Sequence, residues 1–196
     1  VHITWHGGVL DAAAWGPGGD WLLARVPAMT GALDVVPAIE PRHDAVAHAL
    51  HHHPNLRMGA SGTVYHDLLP TVLAQRITGG EAVRQWSHLV RATGERAPGP
   101  RPDLLLPPAP EVLAHRPTWW FHPLGIEVTR ARTLVEIARH AHHLWAWSEL
   151  DPEACEERLR LLRGVGVWTA ANVRSISLGD PDAVLVGDYH VKHQVC

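Results

Sequence analysis

The segment Leu161–Val173, LLRGVGVWTAANV, constrains this chain more than any other stretch. Gly164 and Gly166, one residue apart, mark a tight backbone turn, because glycine reaches positive φ without steric cost. An apolar, Ala-rich helix follows at once, and its first amides precede the first intrahelical hydrogen bond. Such N–H groups, aligned with the helix dipole, suit an anion. The residues before the turn are helical as well. Asp151 is placed to cap, Pro152 suits the first helical position and Glu153 the first turn, and Leu159 and Leu162 lead into the glycines. The pattern therefore predicts a helix, a tight turn, and a second helix from about Val167 to Leu178, stopped by Gly179.

The rest of the chain falls into two parts. In residues 1–63, VHITWHGGVLDAAAW reads as two short strands around a His6-Gly7-Gly8 turn. GGDWLLARVPAMTG reads as a short helix begun by Asp20 and limited by Pro27, and PRHDAVAHALHHHP as another between two prolines. From Val64 the periodicity is helical. Leu68, Leu69, Val72 and Leu73 form one apolar stripe, QRITGG interrupts, and Ala82, Val83, Trp86, Leu89 and Val90 form the next until Gly94. ERAPGPRPDLLLPPAP is a Pro-rich connector, too punctuated for a helix. Leu134, Ile137, Ala138, Ala141 and Trp145 make a further stripe.

Composition excludes several classes. At 196 residues with 46% hydrophobic and 19% charged side chains, the chain can bury a real core and is not disordered. No apolar run is long enough to span a bilayer, so no membrane partner is expected. A net charge of −3 argues against a broadly basic nucleic-acid surface, and Lys192 is the only lysine. Cys155 and Cys196 define neither a metal site nor a disulfide framework, and a reducing compartment follows. The 16 histidines, with runs at His51–His53 and His140–His143, raise a metal site. They lie on polar helix faces without Cys or carboxylate partners, so solvated surface histidine is preferred and no metal ligands are assigned.

Taken alone, glycines between helices are also ordinary turn residues. What sharpens the signal is RGVGVWTAANV followed by GDPDAVLVGDYHVKH, with Trp168 and Asp188 twenty positions apart and Tyr189 next. These segments resemble the helix-hairpin-helix DNA glycosylase superfamily, in its 3-methyladenine DNA glycosylase II branch. Upstream, HPNLRMGASGTVYHDLLPTVLAQRITGGEAVRQW resembles the helix pair that carries the DNA wedge, and LGIEVTRARTLVEIA the middle segment. The resemblance runs from about Asp44 to the end. It implies an α+β chain: a small strand-containing N-terminal domain, residues 1–43 in part, then a mostly α-helical helix-hairpin-helix domain, 44–196. Further helices would follow Cys196, so the chain is expected to be truncated at its C-terminus.

The resemblance implies a monofunctional enzyme that flips alkylated purines of the 3-methyladenine type out of double-stranded DNA and hydrolyses the glycosidic bond. The Gly164, Val165, Gly166 and Thr169 backbone would hold a DNA phosphate. Asp188 would be the catalytic carboxylate, because breaking the base–sugar bond builds positive charge on the sugar. Trp168, Tyr189 and Asn172 would line the substrate pocket, and Arg76 or Ile77 would be the wedge. The resemblance implies no organic cofactor, with room for a monovalent cation at the hairpin carbonyls when DNA is bound. A monomer in the bacterial cytoplasm, at the nucleoid, is the matching expectation.

Other readings stay open from the residues themselves. An Asp between Gly and a helix is also an ordinary N-cap, and Trp168 could be a core tryptophan. Superfamily members that nick the backbone carry Lys where Trp168 stands, so Schiff-base chemistry is not expected there; Lys192 reads as a phosphate or surface contact. Arg163 replaces the usual Pro, Asn172 an aromatic, and Arg76 an apolar wedge. Trp119 and Trp120 are expected in the core. A noncatalytic helix-hairpin-helix DNA-binding module from an alkylation-response protein is the alternative function.

Overall fold

A computed structural model describes residues 1–191 and shows an α+β chain, mostly helical. At the N-terminus β1 (His2–His6) pairs antiparallel with β2 (Val9–Ala13), His6 opposite Val9. Gly7 and Gly8 both have positive φ, +58° and +84°, as a two-residue hairpin turn twisted to match its strands requires.

The first helix, α1 (Gly19–Met29), departs from expectation at both ends. Gly18, in the left-handed region, occupies the cap, and Asp20 sits in the first turn instead. Pro27 lies inside the helix, whose end comes three residues later where the Thr30 amide and hydroxyl both bond the Val26 carbonyl. The second, α2 (Asp44–His52), forms between its prolines; the His43 ring accepts from the Ala45 amide. It buries none of its residues, and its histidines are exposed.

The core is organised around α3 (Val64–Leu73). Leu68, Leu69, Val72 and Leu73 are all fully buried. Around α3 pack α4 (Gly79–Thr93), α6 (Val128–Arg139), α7 (Ala141–Trp147) and α9 (Val167–Leu178). On α4, Leu89 is buried but Val83 is 65% exposed, because the helix presents only one face to the core. The connector stays irregular up to α5 (Pro110–Ala114) and meets its own start through a bridge between Arg96 and Leu105. Beyond it, Thr118–Leu124 forms a 3-10 turn in which Phe121 is buried and Trp120 partly buried, while Trp119 is exposed. Consecutive side chains on so short a turn diverge, so only part of the aromatic run can face inward.

The stripe from Leu134 to Trp145 belongs to two helices, not one. His140 breaks it with ψ near 10°, its ring 2.9 Å from the Glu136 carbonyl and occupying an acceptor of the last turn. Ala141 and Leu144 remain buried after the break, but Trp145 is turned out. The last pair is α8 (Pro152–Leu159), capped by the Asp151 carboxylate on the Ala154 amide at 2.9 Å, and α9, ended by Gly179 at φ +69°. Both ends match the sequence pattern. Among the described residues no helix is long and apolar enough to cross a membrane.

Candidate functional site

The turn between α8 and α9 is built on buried anchors. Leu162 and Val165 insert into the core, and the Val165 amide donates to the Leu162 carbonyl at 3.0 Å. The two glycines do different work. Gly164 has φ +91°, and a Cβ there would lie 2.0 Å from Thr133 Oγ1 of α6, so the backbone rests directly on that helix. Gly166 is extended, with φ −96° and ψ −179°, and a Cβ on it would meet nothing within 4 Å. The first glycine is demanded by the fold; the second keeps an open face at the start of α9.

That helix start is poor in partners for its own amides. The Ala170 amide makes a first intrahelical bond, to the Gly166 carbonyl at 2.9 Å, and Gly166 offers no side-chain cap. The amides of residues 167–169 therefore precede the ladder and, with the helix dipole, favour an anion. Arg160 and Arg163 are exposed on the approach to the turn, adding positive charge despite the acidic balance of the whole chain.

Asp188 stands beside this helix start. Its Oδ2 accepts from the Trp168 indole Nε1 at 2.8 Å, and its Oδ1 from the backbone amides of His190 and Val191 at 2.7 and 3.2 Å. The cap geometry and the juxtaposition with Trp168 are both present: one oxygen caps, the other takes the indole. The indole hydrogen bond, followed by the amide of His190, holds the Asp188 carboxyl below its usual value. The group is thus an anion at neutral pH. What it contributes to folding is present above the ordinary carboxylate range and lost as pH falls through the depressed value.

Trp168 is half-buried rather than a core residue, and its N–H is committed to Asp188. Asn172, four residues on, is half-buried on the same helical face. Tyr189 is 68% exposed, its ring edge-on to His190 with centroids 5.3 Å apart. Lys192 and Cys196 lie outside the described residues. The loop from α9 to Asp188 is fastened by Arg174, which bonds Asp180, Glu156 at 3.1 Å and Glu153 at 2.7 Å. Asp180 in turn accepts from the Asp182 amide. This clamp was not legible in the sequence, because its four charged residues come from three separate segments.

The wedge candidates lie across from the turn, in the loop between α3 and α4. Arg76 is exposed with φ +58°, and Ile77 is half-buried. A left-handed non-glycine residue costs on the order of 1–2 kcal/mol. Immediately before it Gln75, which no motif or spacing in the sequence marks, donates from Nε2 to the Gly164 carbonyl at 3.0 Å and to Thr169 Oγ1 at 2.9 Å. The loop and the glycine turn are therefore one structure. Among the hairpin carbonyls, those of Leu162 and Gly164 already accept hydrogen bonds, so a monovalent cation would have to use their second lone pairs.

The indole bond makes the Asp188–Trp168 pair testable by pH. Replacing Trp168 by Phe keeps an aromatic ring but removes the largest cause of the depressed carboxyl. Whatever reaction depends on the Asp188 anion is expected to lose activity at higher pH in Trp168→Phe than in the wild type, toward the ordinary carboxylate value of about 3.9. Proton titration of the labelled Asp188 carboxyl by NMR checks this; an unmoved midpoint would show that the indole does not set it.

No family model and no curated protein sequence matches the chain. Solved structures do. A 3-methyladenine DNA glycosylase from Archaeoglobus fulgidus superposes with a TM-score of 0.73 at 18% identity, over 93% of this chain and 64% of that one. An 8-oxoguanine glycosylase/lyase from Clostridium acetobutylicum, in complex with double-stranded DNA containing cytosine opposite 8-oxoguanine, superposes with a TM-score of 0.70 at 14% identity, over 97% of this chain and 70% of that one. In its apo form the Clostridium enzyme gives 0.65 at 16% identity, over 78% and 54%. The chain thus spans a little under two thirds of the Archaeoglobus protein. At these identities the likeness is one of architecture alone: the chain shares the fold of these DNA glycosylase structures.

Proposed function

We propose that the chain is the base-excising part of a monofunctional DNA glycosylase acting on alkylated purines of the 3-methyladenine type. The observation that carries this reading is Asp188: a carboxylate kept ionised by three donors, beside the anion-favouring start of α9. A DNA phosphate would take the amides beyond Gly166, which fixes register without reading sequence. Base flipping would then bring the damaged nucleotide toward Trp168 and Asn172.

The reaction follows from the charges. As the bond from C1′ to the base nitrogen breaks, its electron pair leaves with the base and the sugar becomes an oxocarbenium-like cation. The Asp188 anion stabilises that charge. Water forms the new C1′–O bond and gives up a proton, through Asp188 or directly to solvent, leaving an intact abasic site. A cationic alkylated purine needs little help to depart, and the half-buried indole of Trp168 is an aromatic partner suited to such an electron-poor ring. No step runs through a metal or cofactor. Monomeric action on double-stranded DNA, at the bacterial nucleoid, completes the proposal.

Two measurements on one set of duplexes test it. The chain is expected to release 3-methyladenine from methylated DNA faster than it releases 8-oxoguanine opposite cytosine. Borohydride is expected to trap no covalent adduct, because Trp168 offers no amine to the sugar. Trapping that disappears in Lys192→Ala would replace the monofunctional reading by a lyase; release of 8-oxoguanine alone would replace the substrate class.

A further inference from the structure

The residue with the most consequential unassigned contacts is Gln75. Its side chain is half-buried and reaches across 89 and 94 positions of sequence to the Gly164 carbonyl and the Thr169 hydroxyl. Neither acceptor is incidental. Gly164 carries the left-handed turn that seats the hairpin on α6, and Thr169 lies in the first turn of α9, 2% exposed. The next residue, Arg76, is the one non-glycine with positive φ among the described residues. Strain of that kind persists only where the surroundings over-determine the backbone.

The surroundings here do so from three sides. The end of α3 is held by Arg130, buried, whose Nη1 donates to the Leu73 carbonyl at 2.8 Å and to Gln85 Oε1 at 2.9 Å. Gln85 in turn donates to the Gly125 carbonyl at 2.7 Å. On the far side of the loop Thr78 caps α4 through the Glu81 amide. Between these two fixed ends Gln75 supplies the third hold, and it is the hold that ends on the hairpin. Five residues, Ala74 to Thr78, are thus fastened at both ends, strained in the middle and tied to the α8–α9 turn.

We propose that Gln75 is a positioning residue: its amide couples the hairpin's grip on a DNA phosphate to the presentation of Arg76 in the gap left by the extruded base. Once the turn is seated on the backbone, the Gly164–Thr169 segment is fixed relative to the duplex, and Gln75 passes that position to Arg76. Without the amide, the loop can relax Arg76 out of the left-handed region, and its guanidinium points elsewhere. The function of the contact is then geometric. It adds nothing to phosphate affinity and everything to where the wedge stands. This inference rests on the DNA-binding reading of the hairpin given above.

The test uses Gln75→Leu, Gln75→Glu, Arg76→Ala and the Gln75→Leu/Arg76→Ala pair in the full chain. Leucine removes the donor, and glutamate keeps the length but presents oxygen to a carbonyl. Base opening is read by the fluorescence of 2-aminopurine placed beside an abasic site or a methylated purine, a signal that requires binding but no excision. Both Gln75 variants are expected to lower the opening signal about tenfold, as Arg76→Ala does, and the pair to be no worse than either alone. Affinity of the two Gln75 single variants for undamaged duplex should stay within about twofold, since neither removes a cation. Additive losses in the pair, or a loss of duplex affinity matching the loss of opening, would overturn the coupling and leave Gln75 as a packing residue. Melting curves identify a variant that fails to fold, and the other Gln75 variant then decides. A wild type that opens the base but releases none sinks the glycosylase reading alone.

Discussion

Asp188→Asn is expected to reduce excision of a damaged purine by about 10²–10³-fold, with binding to abasic-site DNA retained. The substitution preserves shape and removes charge. Geometry sharpens what it does. The aspartate uses one oxygen on the amides of His190 and Val191 and the other on the Trp168 indole. Asparagine has a single oxygen, so it can keep the cap or the indole bond but not both; with the cap kept, its amide N–H would face another donor. Asn is a good N-cap, so the fold should survive through the cap while the anion and the indole contact are lost. Single-turnover base release and abasic-site binding, measured side by side, check this. The loss should be smaller for a cationic alkylated base, which departs easily, than for a neutral one such as hypoxanthine. Near wild-type release of both kinds would reduce Asp188 to a helix cap.

Gly164→Ala is expected to destabilise the chain by about 3 kcal/mol, combining overpacking with the strain of a left-handed alanine. Its Cβ would stand 2.0 Å from Thr133 Oγ1 and 3.0 Å from both Thr133 carbons, at φ +91°. In a chain of this size that corresponds to a melting temperature lower by roughly 6–12 °C. Scanning calorimetry checks the figure. Gly166→Asp provides the contrast: no atom lies within 4 Å of its Cβ and its φ is ordinary, so melting should be close to wild type. Affinity for DNA should nevertheless fall about tenfold at low salt, with a smaller deficit as salt screens the added charge. Unchanged affinity at low and moderate salt would take the hairpin out of the interface. A Gly164→Ala chain that melts like the wild type would show that the turn does not rest on α6.

What the sequence determined by itself was whatever depends on neighbours along the chain. The hairpin at Gly7-Gly8, the cap at Asp151, the stop at Gly179 and the α8–turn–α9 unit all follow from local backbone preference, and the structure has them where the residues place them. The stripe of α3 was legible for the same reason, since four residues at helical spacing must share one face. Local preference also misled. Asp20 looked like a cap but Gly18 took the position, and a continuous apolar stripe hid the break at His140, where a side chain occupies a backbone acceptor. Apolarity alone points Trp119, Trp145 and Val83 inward, but all three are exposed. Their exposure depends on which way each element is rotated against its neighbours, which periodicity over one or two turns does not specify.

Tertiary structure decided the rest. No spacing in the chain connects Gln75 to Gly164, or Arg174 to Glu153, Glu156 and Asp180. Such hydrogen bonds have no period, and polar residues in loops read alike whether they meet solvent or a distant backbone carbonyl. The division of labour between the two glycines was equally hidden. Both read as turn residues, but only Gly164 has a threonine pressed against it. The resemblance placed Asp188 near Trp168 without saying how the two meet. That one indole N–H and two amides converge on its carboxylate, and so hold it ionised, depends on distances across the fold that covalent neighbours cannot set.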